Sequence, residues 1–318
     1  MEINLKLHKL LILSQDFKAY QSLVERVNLP GLSILATNEP GLAIQLGSES
    51  DLLFGEPSLV SQILNNIPGI RWVQTTWAGV EPLLAEGLRR DYLLSNARDV
   101  YGSMMSEYVF GYLLLVERQI LPRWQSQQAG KWDDRPYGRL KGKILGLMGV
   151  GTIGSHIAAT ARHFGMRVMG YTRHTESCEY IDQYFHGDAW PVFAADLDYL
   201  VCTLPGTTST QGMLNGAFLA ALPKRAWLIN VGRGSTVDEP ALVAALNNAS
   251  IAGAILDVFT QEPLPPDHPL WSTPNTFITS HTAARNILPD IASLFIDNYQ
   301  RYIRGQPLLY QVDFEQGY

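Results

Sequence analysis

Cysteine is scarce: Cys178 and Cys202 are the two present in 318 residues. Two such residues make no disulfide framework. Neither a CxxC nor a Cys/His spacing suited to a metal occurs, so no metal site is expected. Cys202 lies in the apolar run Leu200-Val201-Cys202-Thr203-Leu204 and reads as a buried small hydrophobe. Charge is also sparse, at 17%, with a net charge of −6. That balance argues against nucleic acid and anionic membrane as main partners, although local charges can still bind a small anion. The stretch from Met1 to Ser14 lacks a small-residue cleavage site and is too short to span a bilayer; Lys9 to Leu13 reads as a first strand. No repeat of fixed period and no low-complexity stretch is present. These absences leave a cytoplasmic enzyme as the expectation. With 46% hydrophobic residues over this length, two domains with sizeable cores are expected rather than disorder.

Short apolar segments alternate with helical spacing along the chain. Candidate strands of the first hundred residues are Leu10–Leu13, Leu32–Leu35, Leu52–Phe54, Trp72–Thr75 and Tyr92–Leu94, with helices over Phe17–Val27 and Ser58–Ile67. A long amphipathic helix follows from Ser103 to Gln128, interrupted at Pro122. Then come strands at Lys143–Met148, Arg167–Tyr171, Tyr199–Thr203, Trp227–Val231, Ala254–Leu256 and Thr276–Ser280, and a last helix near Ile287–Arg304. The pattern is α/β with parallel sheets.

Gly149-Val150-Gly151-Thr152-Ile153-Gly154 stands between an apolar strand and a helix, and a second strand follows. Each glycine has a physical task. Gly149 permits the tight turn, Gly151 lets the backbone approach a pyrophosphate, and Gly154 lets helix and strand pack closely. The helix N-terminus beyond them offers N–H groups to phosphate. This is a dinucleotide-binding fingerprint in its βαβ context.

Three later strands carry polar residues at or just past their carboxyl ends, where open parallel sheets bind ligands. Arg233 sits between Gly232 and Gly234, placed to hold a carboxylate bidentately. Glu262 lies in the loop Thr260-Gln261-Glu262-Pro263-Leu264-Pro265-Pro266, and His281 in Ser280-His281-Thr282-Ala283. Taken singly, each reads better as a solvated arginine, a surface carboxylate or a structural histidine. Together, behind a dinucleotide loop, they suggest a catalytic constellation.

In order and spacing, Gly149–Gly154, Val231-Gly232-Arg233-Gly234, Asp257-Val258-Phe259 with Glu262-Pro263, and Ser280-His281 resemble the D-isomer-specific 2-hydroxyacid dehydrogenases. Gln261-Glu262-Pro263-Leu264-Pro265, Pro269-Leu270-Trp271 and the ending Gln311-Val312-Asp313 with Gly317-Tyr318 resemble the glyoxylate/hydroxypyruvate reductase A branch. The resemblance implies two doubly wound parallel-sheet domains. A nucleotide-binding Rossmann domain, residues 98–284, would be inserted in a flavodoxin-like substrate domain, residues 1–97 plus 285–318.

It also implies roles. Arg233 would bind the substrate carboxylate and polarise the 2-keto oxygen. His281 would protonate that oxygen, and Glu262 would hold His281 in the right tautomer. Leu204, Pro205, Val231 and Asp257 would line the cofactor, with ordinary strand-end packing as the alternative. Trp77-Ala78-Gly79-Val80 would bind the carboxylate through backbone N–H groups. Trp77 is larger than the family pattern suggests and reads equally as a core aromatic.

The cofactor's 2′ position is read after the second strand, at Tyr171-Thr172-Arg173-His174, where no acid stands. Thr172 and Arg173 therefore favour NADP, with NAD possible. Thr175 and Glu176 stand where related reductases carry a second basic residue, which weakens that selectivity. Trp132 and Tyr137, in the polar-aromatic stretch Gly130–Lys143, would help to build a homodimer; a plain surface loop is the other reading. The expected activity is NAD(P)H-dependent reduction of small 2-keto acids, glyoxylate and hydroxypyruvate first. Alternatives are an NAD-dependent D-2-hydroxyacid dehydrogenase for a bulkier substrate, or a dinucleotide-sensing protein of the corepressor kind.

Overall fold

A computed structural model describes residues 7–173, 176–315 and 317. Expectations that touch Met1–Lys6, His174, Thr175 and Tyr318 therefore lie outside the described residues. The chain divides into two compact units, Met1–Val100 with Asn286–Tyr318, and Tyr101–Arg285.

The first unit begins with β1 (His8–Leu13), α1 (Phe17–Glu25), β2 (Leu32–Thr37), α2 (Pro40–Leu46), β3 (Leu52–Gly55), α3 (Pro57–Ile63), β4 (Trp72–Thr75) and β5 (Leu93–Ser95). Leu10, Leu11, Ile12 and Leu13 are all buried. An unbroken apolar run of this kind belongs to a strand covered on both faces, as in parallel sheets. The five strands are parallel in the order β2-β1-β3-β4-β5, the flavodoxin-like order. Pro40 and Pro57 open α2 and α3, where a missing N–H costs no helical bond.

The second unit contains α4 (Gly102–Glu117), α5 (Ile120–Gln128), β6 (Ile144–Met148), α6 (Thr152–His163), β7 (Arg167–Tyr171), β8 (Gln183–Phe185), α7 (Trp190–Ala194), β9 (Tyr199–Cys202), α8 (Gly216–Ala221), β10 (Trp227–Asn230), α9 (Glu239–Asn247), β11 (Gly253–Leu256) and β12 (Thr276–Ile278). Asn215 and Asp238 cap α8 and α9 through their side-chain oxygens. The seven strands are parallel in the order β12-β11-β10-β9-β6-β7-β8. Strand order reverses between β6 and β9, the switch point where doubly wound sheets open a crevice. Helices form a core on each face. Val109, Phe110 and Leu113 of α4 join Ile157 and Ala161 of α6 on one. Phe193, Phe218 and Leu242 fill the other.

The chain then returns to the first unit with α10 (Leu288–Ile303). Phe295 stacks on Phe54 and Trp72, and Asn298 Nδ2 donates to Gln74 Oε1 at 2.9 Å, wholly buried.

Two local expectations need correction. The long helix breaks at Arg118-Gln119 and not at Pro122: Gln119 has φ 55° and ends the ladder, while Pro122 falls in the first turn of α5, where proline is tolerated. The strand β8 was not expected from its three residues.

Candidate active site

All seven strands of the second unit run parallel, so the loops that follow them leave from one edge of the sheet. The candidate residues occur along that edge in a fixed order. His281 follows β12, Asp257 and Glu262 follow β11, and Val231 and Arg233 follow β10. Leu204 and Pro205 follow β9, the glycine loop follows β6, and Thr172 and Arg173 follow β7.

At the centre, Gly149 has φ +93°, a conformation that L side chains rarely adopt. A Cβ on Gly154 would lie 2.3 Å from the Gly149 carbonyl oxygen, so helix and turn touch backbone to backbone. Gly151 is exposed and serves as N-cap of α6 with no side-chain hydrogen bond to the first turn. The helix N-terminus at Thr152 and Ile153 is thus open to an anion. Thr203 Oγ1 donates to the Gly149 carbonyl at 2.9 Å and steadies the turn from β9.

Beside it, buried Asn230 shapes the arginine loop. Its Oδ1 accepts from Gly232 N at 3.1 Å, and its Nδ2 donates to Arg233 O at 3.0 Å. A Cβ on Gly232 would meet Leu204 O at 2.6 Å, and one on Gly234 would meet Phe259 C at 1.9 Å. The loops after β9, β10 and β11 are therefore packed against one another. Arg233 Nη1 donates to its neighbouring Gly232 carbonyl at 2.8 Å.

Glu262 and His281 meet directly. Glu262 Oε2 lies 2.8 Å from His281 Nδ1, and Oε1 accepts from Phe259 N at 2.9 Å. The carboxylate is thereby oriented, and the proton on the imidazole's Nδ1 is fixed toward it. His281 sits at φ 54°, in the left-handed region. Asp257, 1% exposed, holds it there. The Asp257 carbonyl accepts from His281 N at 2.8 Å. Its Oδ1 accepts from Thr279 Oγ1 and from Thr282 N at 2.8 Å, and its Oδ2 from Ala283 N at 3.0 Å. Both carboxylate oxygens are thus spent on the histidine loop. Tyr108 shares a 2.7 Å hydrogen bond with Thr279, and burial pushes its phenol up, so it stays neutral. Burial likewise raises the Cys202 thiol, as expected of a small core residue.

At the far end, Thr172 N donates to Phe185 O at 3.1 Å, extending the β7–β8 ladder. His186, just past β8, places Nδ1 2.9 Å from the Thr172 carbonyl and Nε2 2.6 Å from Glu176 Oε1. The Glu176 carboxylate, aided by the Thr172 carbonyl, raises His186 above the ordinary imidazole value. Arg173 is exposed on the same loop.

In the first unit, Trp77-Ala78-Gly79-Val80 follows β4. Thr75 Oγ1 and Ala97 N donate to the Trp77 carbonyl at 2.7 and 3.1 Å, and Asn96 Nδ2 to the Ala78 carbonyl at 2.8 Å. Val80 is buried, but Trp77 is 48% exposed, so the reading of Trp77 as a core aromatic is wrong.

Sequence reasoning missed Asn230 and His186, missed that Glu176 is paired with His186, and missed that the Asp257 carboxylate belongs to the histidine loop. A polar residue inside the apolar run Trp227–Asn230 was the available signal for the first. Among the described residues, no group of three His, Cys, Asp or Glu side chains is placed to hold a metal, and no helix is long and apolar enough to cross a membrane.

Residues 110–283 match the model of the D-isomer specific 2-hydroxyacid dehydrogenase NAD-binding domain. A glyoxylate/hydroxypyruvate reductase A from Klebsiella pneumoniae subsp. pneumoniae is 31% identical over 68% of this chain and 70% of its own. A D-isomer specific 2-hydroxyacid dehydrogenase family protein from Aeromonas salmonicida superposes with a TM-score of 0.90 at 41% identity, covering 96% of this chain and 99% of that one. An NADPH-dependent glyoxylate/hydroxypyruvate reductase from Sinorhizobium meliloti, solved with NADP and sulfate, gives 0.86 at 25% identity, covering 98% and 100%. With the matched domain spanning more than half its length, the chain belongs to the D-isomer specific 2-hydroxyacid dehydrogenase family of NAD(P)-dependent enzymes, in the glyoxylate/hydroxypyruvate reductase A branch.

Proposed function

We propose that this protein reduces small 2-keto acids, glyoxylate and hydroxypyruvate first, with NADPH preferred and NADH accepted. The observation that carries the reading is the Glu262–His281 pair at 2.8 Å, set on the same sheet edge as Arg233 and the glycine loop. The names and ligand of the Klebsiella and Sinorhizobium relatives support it.

The residues present fit a dinucleotide. Gly149 and Gly154 form a turn that a Cβ would fill, and Gly151 leaves the α6 N-terminus open. Gly149, Gly151, Thr152, Ile153 and Gly154 would hold the pyrophosphate, Thr172 and Arg173 the 2′ group, and Leu204, Pro205 and Val231 would line the remainder, with buried Asp257 behind them holding the histidine loop. When bound, the reduced nicotinamide supplies the hydride for the keto carbon. Arg233 binds the substrate carboxylate and draws charge from the keto oxygen. His281 has Nδ1 committed to Glu262, so Nε2 is the atom that gives the oxygen its proton. Glu262 fixes the ring and offsets the positive charge of the imidazolium before transfer.

The same reading makes the second unit the dinucleotide-binding domain and the first the substrate domain, where Trp77, Ala78, Gly79 and Val80 contribute to holding the acid. It also makes the protein a homodimer. Trp124, Trp132 and Tyr137 are large apolar side chains left exposed, Trp132 at 96%, as a pairing surface requires.

The test is turnover of a keto-acid panel with each cofactor. The reading expects the highest kcat/KM on glyoxylate or hydroxypyruvate with NADPH. Best turnover of a bulkier acid with NADH would replace the substrate and cofactor assignment. Tight dinucleotide binding with no turnover would point to a sensing protein.

A further inference from the structure

The imidazole of His186 has an acceptor at each nitrogen. Nδ1 faces the Thr172 carbonyl at 2.9 Å and Nε2 faces the Glu176 carboxylate at 2.6 Å. A neutral imidazole has one proton and satisfies one of these contacts; the imidazolium satisfies both. The Thr172 hydroxyl, 3.3 Å from Nδ1, is a third group within reach. Thr172 is also tied to β8 by its backbone N–H. One doubly protonated ring therefore clasps the segment at Thr172 and again at Glu176, and Arg173 stands between those two points.

We propose that His186 is a specificity-determining residue for the cofactor's 2′ group, a titrating clasp that makes preference for NADPH depend on pH. This rests on the reading above that the 2′ group is bound after β7. Glu176 is a carboxylate on that same loop. Left uncompensated, it repels a 2′-phosphate and accepts a hydrogen bond from a free ribose hydroxyl. Paired with the His186 imidazolium, its charge is offset, and Arg173 meets the phosphate in a loop with no net negative charge from this pair. The clasp thus reconciles an acidic residue at position 176 with a phosphate-bearing cofactor.

The sign follows from the contacts. Both acceptors favour the charged ring, so its proton is held above the ordinary imidazole range. The clasp is complete at lower pH and is lost as pH rises through that raised value. NADPH binding then weakens relative to NADH. Among the described residues, Tyr184 stacks on the ring at 6.5 Å, and the charged residues nearest to it in the chain are Arg173 on the clasped loop and Asp188 two residues on. Tyr184 is pushed up by burial and stays neutral through the range concerned.

The experiment is direct titration of the whole protein with NADPH and with NADH, read by cofactor fluorescence, from pH 6 to 9. It compares wild type with His186→Gln, Glu176→Gln and Arg173→Ala. The 2′-phosphate has its own ionisation, but that is common to all four proteins. In wild type, the ratio of the NADPH Kd to the NADH Kd should rise about two- to fivefold through one transition, the range of an exposed charge interaction. In His186→Gln that transition should vanish, leaving the dependence from the phosphate's own ionisation alone, with the ratio otherwise at the wild type's high-pH value. In Glu176→Gln the ratio should stay low, because the repelling charge is gone. His186→Gln tracking wild type at every pH would overturn the inference, as would Glu176→Gln binding NADPH no better than wild type at pH 9. If Arg173→Ala abolishes the preference while His186→Gln tracks wild type, the 2′ assignment stands and this inference alone fails. If Arg173→Ala leaves the ratio unchanged, the 2′ group is read elsewhere and both fall.

Discussion

Replacing Asp257 tests whether a buried carboxylate sets the posture of the histidine loop. Its Oδ1 accepts from Thr279 Oγ1 and Thr282 N, and its Oδ2 from Ala283 N. In Asp257→Asn one oxygen becomes an NH2 group. Whichever way the amide turns, it presents a donor to either the Thr282 or the Ala283 N–H. One amide loses its acceptor, at about 1–3 kcal/mol for the buried Ala283 N–H and less for the half-buried Thr282 N–H. Asp257→Ala takes the acceptor from both, so it adds the loss at Thr282 to the about 1–3 kcal/mol at the buried Ala283 N–H, while Thr279 keeps Tyr108. These losses fall on a loop whose His281 occupies a left-handed conformation costing about 1–3 kcal/mol by itself. The loop should relax away from that conformation and carry the imidazole off Glu262. Misplacement by about 1 Å is worth on the order of 10²-fold in rate, so kcat should fall by that order in Asn and further in Ala. Urea unfolding followed by circular dichroism, with steady-state kinetics on the same preparations, gives both numbers. Asp257→Asn matching wild type in midpoint and kcat, or Asp257→Ala being no worse than Asp257→Asn, would refute the argument.

His281→Ala should lower kcat by about 10²- to 10⁴-fold. NADPH affinity by fluorescence titration should stay nearly unchanged, since the imidazole acts on the keto oxygen; lost affinity with intact kcat would contradict this. Arg173→Ala should raise KM for NADPH about tenfold or more, well beyond its effect on NADH, and Thr172→Asp should shift the kcat/KM ratio further toward NADH. Gly154→Ala places a Cβ 2.3 Å from the Gly149 oxygen. Steady-state titration and thermal melts should show weaker NADPH binding and a stability loss of about 1–3 kcal/mol.

The glycine loop was legible because its chemistry is local: strand, turn and helix fall within thirty residues, and each glycine answers a steric need there. The histidine–glutamate pair was legible through its family pattern, since nothing local distinguishes His281 from a structural histidine. What stayed hidden depends on contacts distant in sequence. Asp257 reads as strand-end packing until Thr279, Thr282 and Ala283 fold back onto it. His186 reads as a surface residue until β8 pairs with β7, and β8 itself has three residues with no apolar periodicity. The break at Gln119 was illegible because a non-glycine residue supplies the left-handed turn, while the obvious breaker, Pro122, sits harmlessly in a first turn.

The return of α10 to the first unit sets a timetable for the chain on the ribosome. Phe54 and Trp72 emerge early, but Phe295, which stacks on both, emerges after the whole of Tyr101–Arg285. Gln74 likewise waits for Asn298. At roughly 5–20 residues per second, the nascent sheet stands without that cover for on the order of ten to forty seconds. The second unit has all its strands and helices by then. The usual N-terminal-first sequence is inverted, and the unit synthesised first is the one completed last.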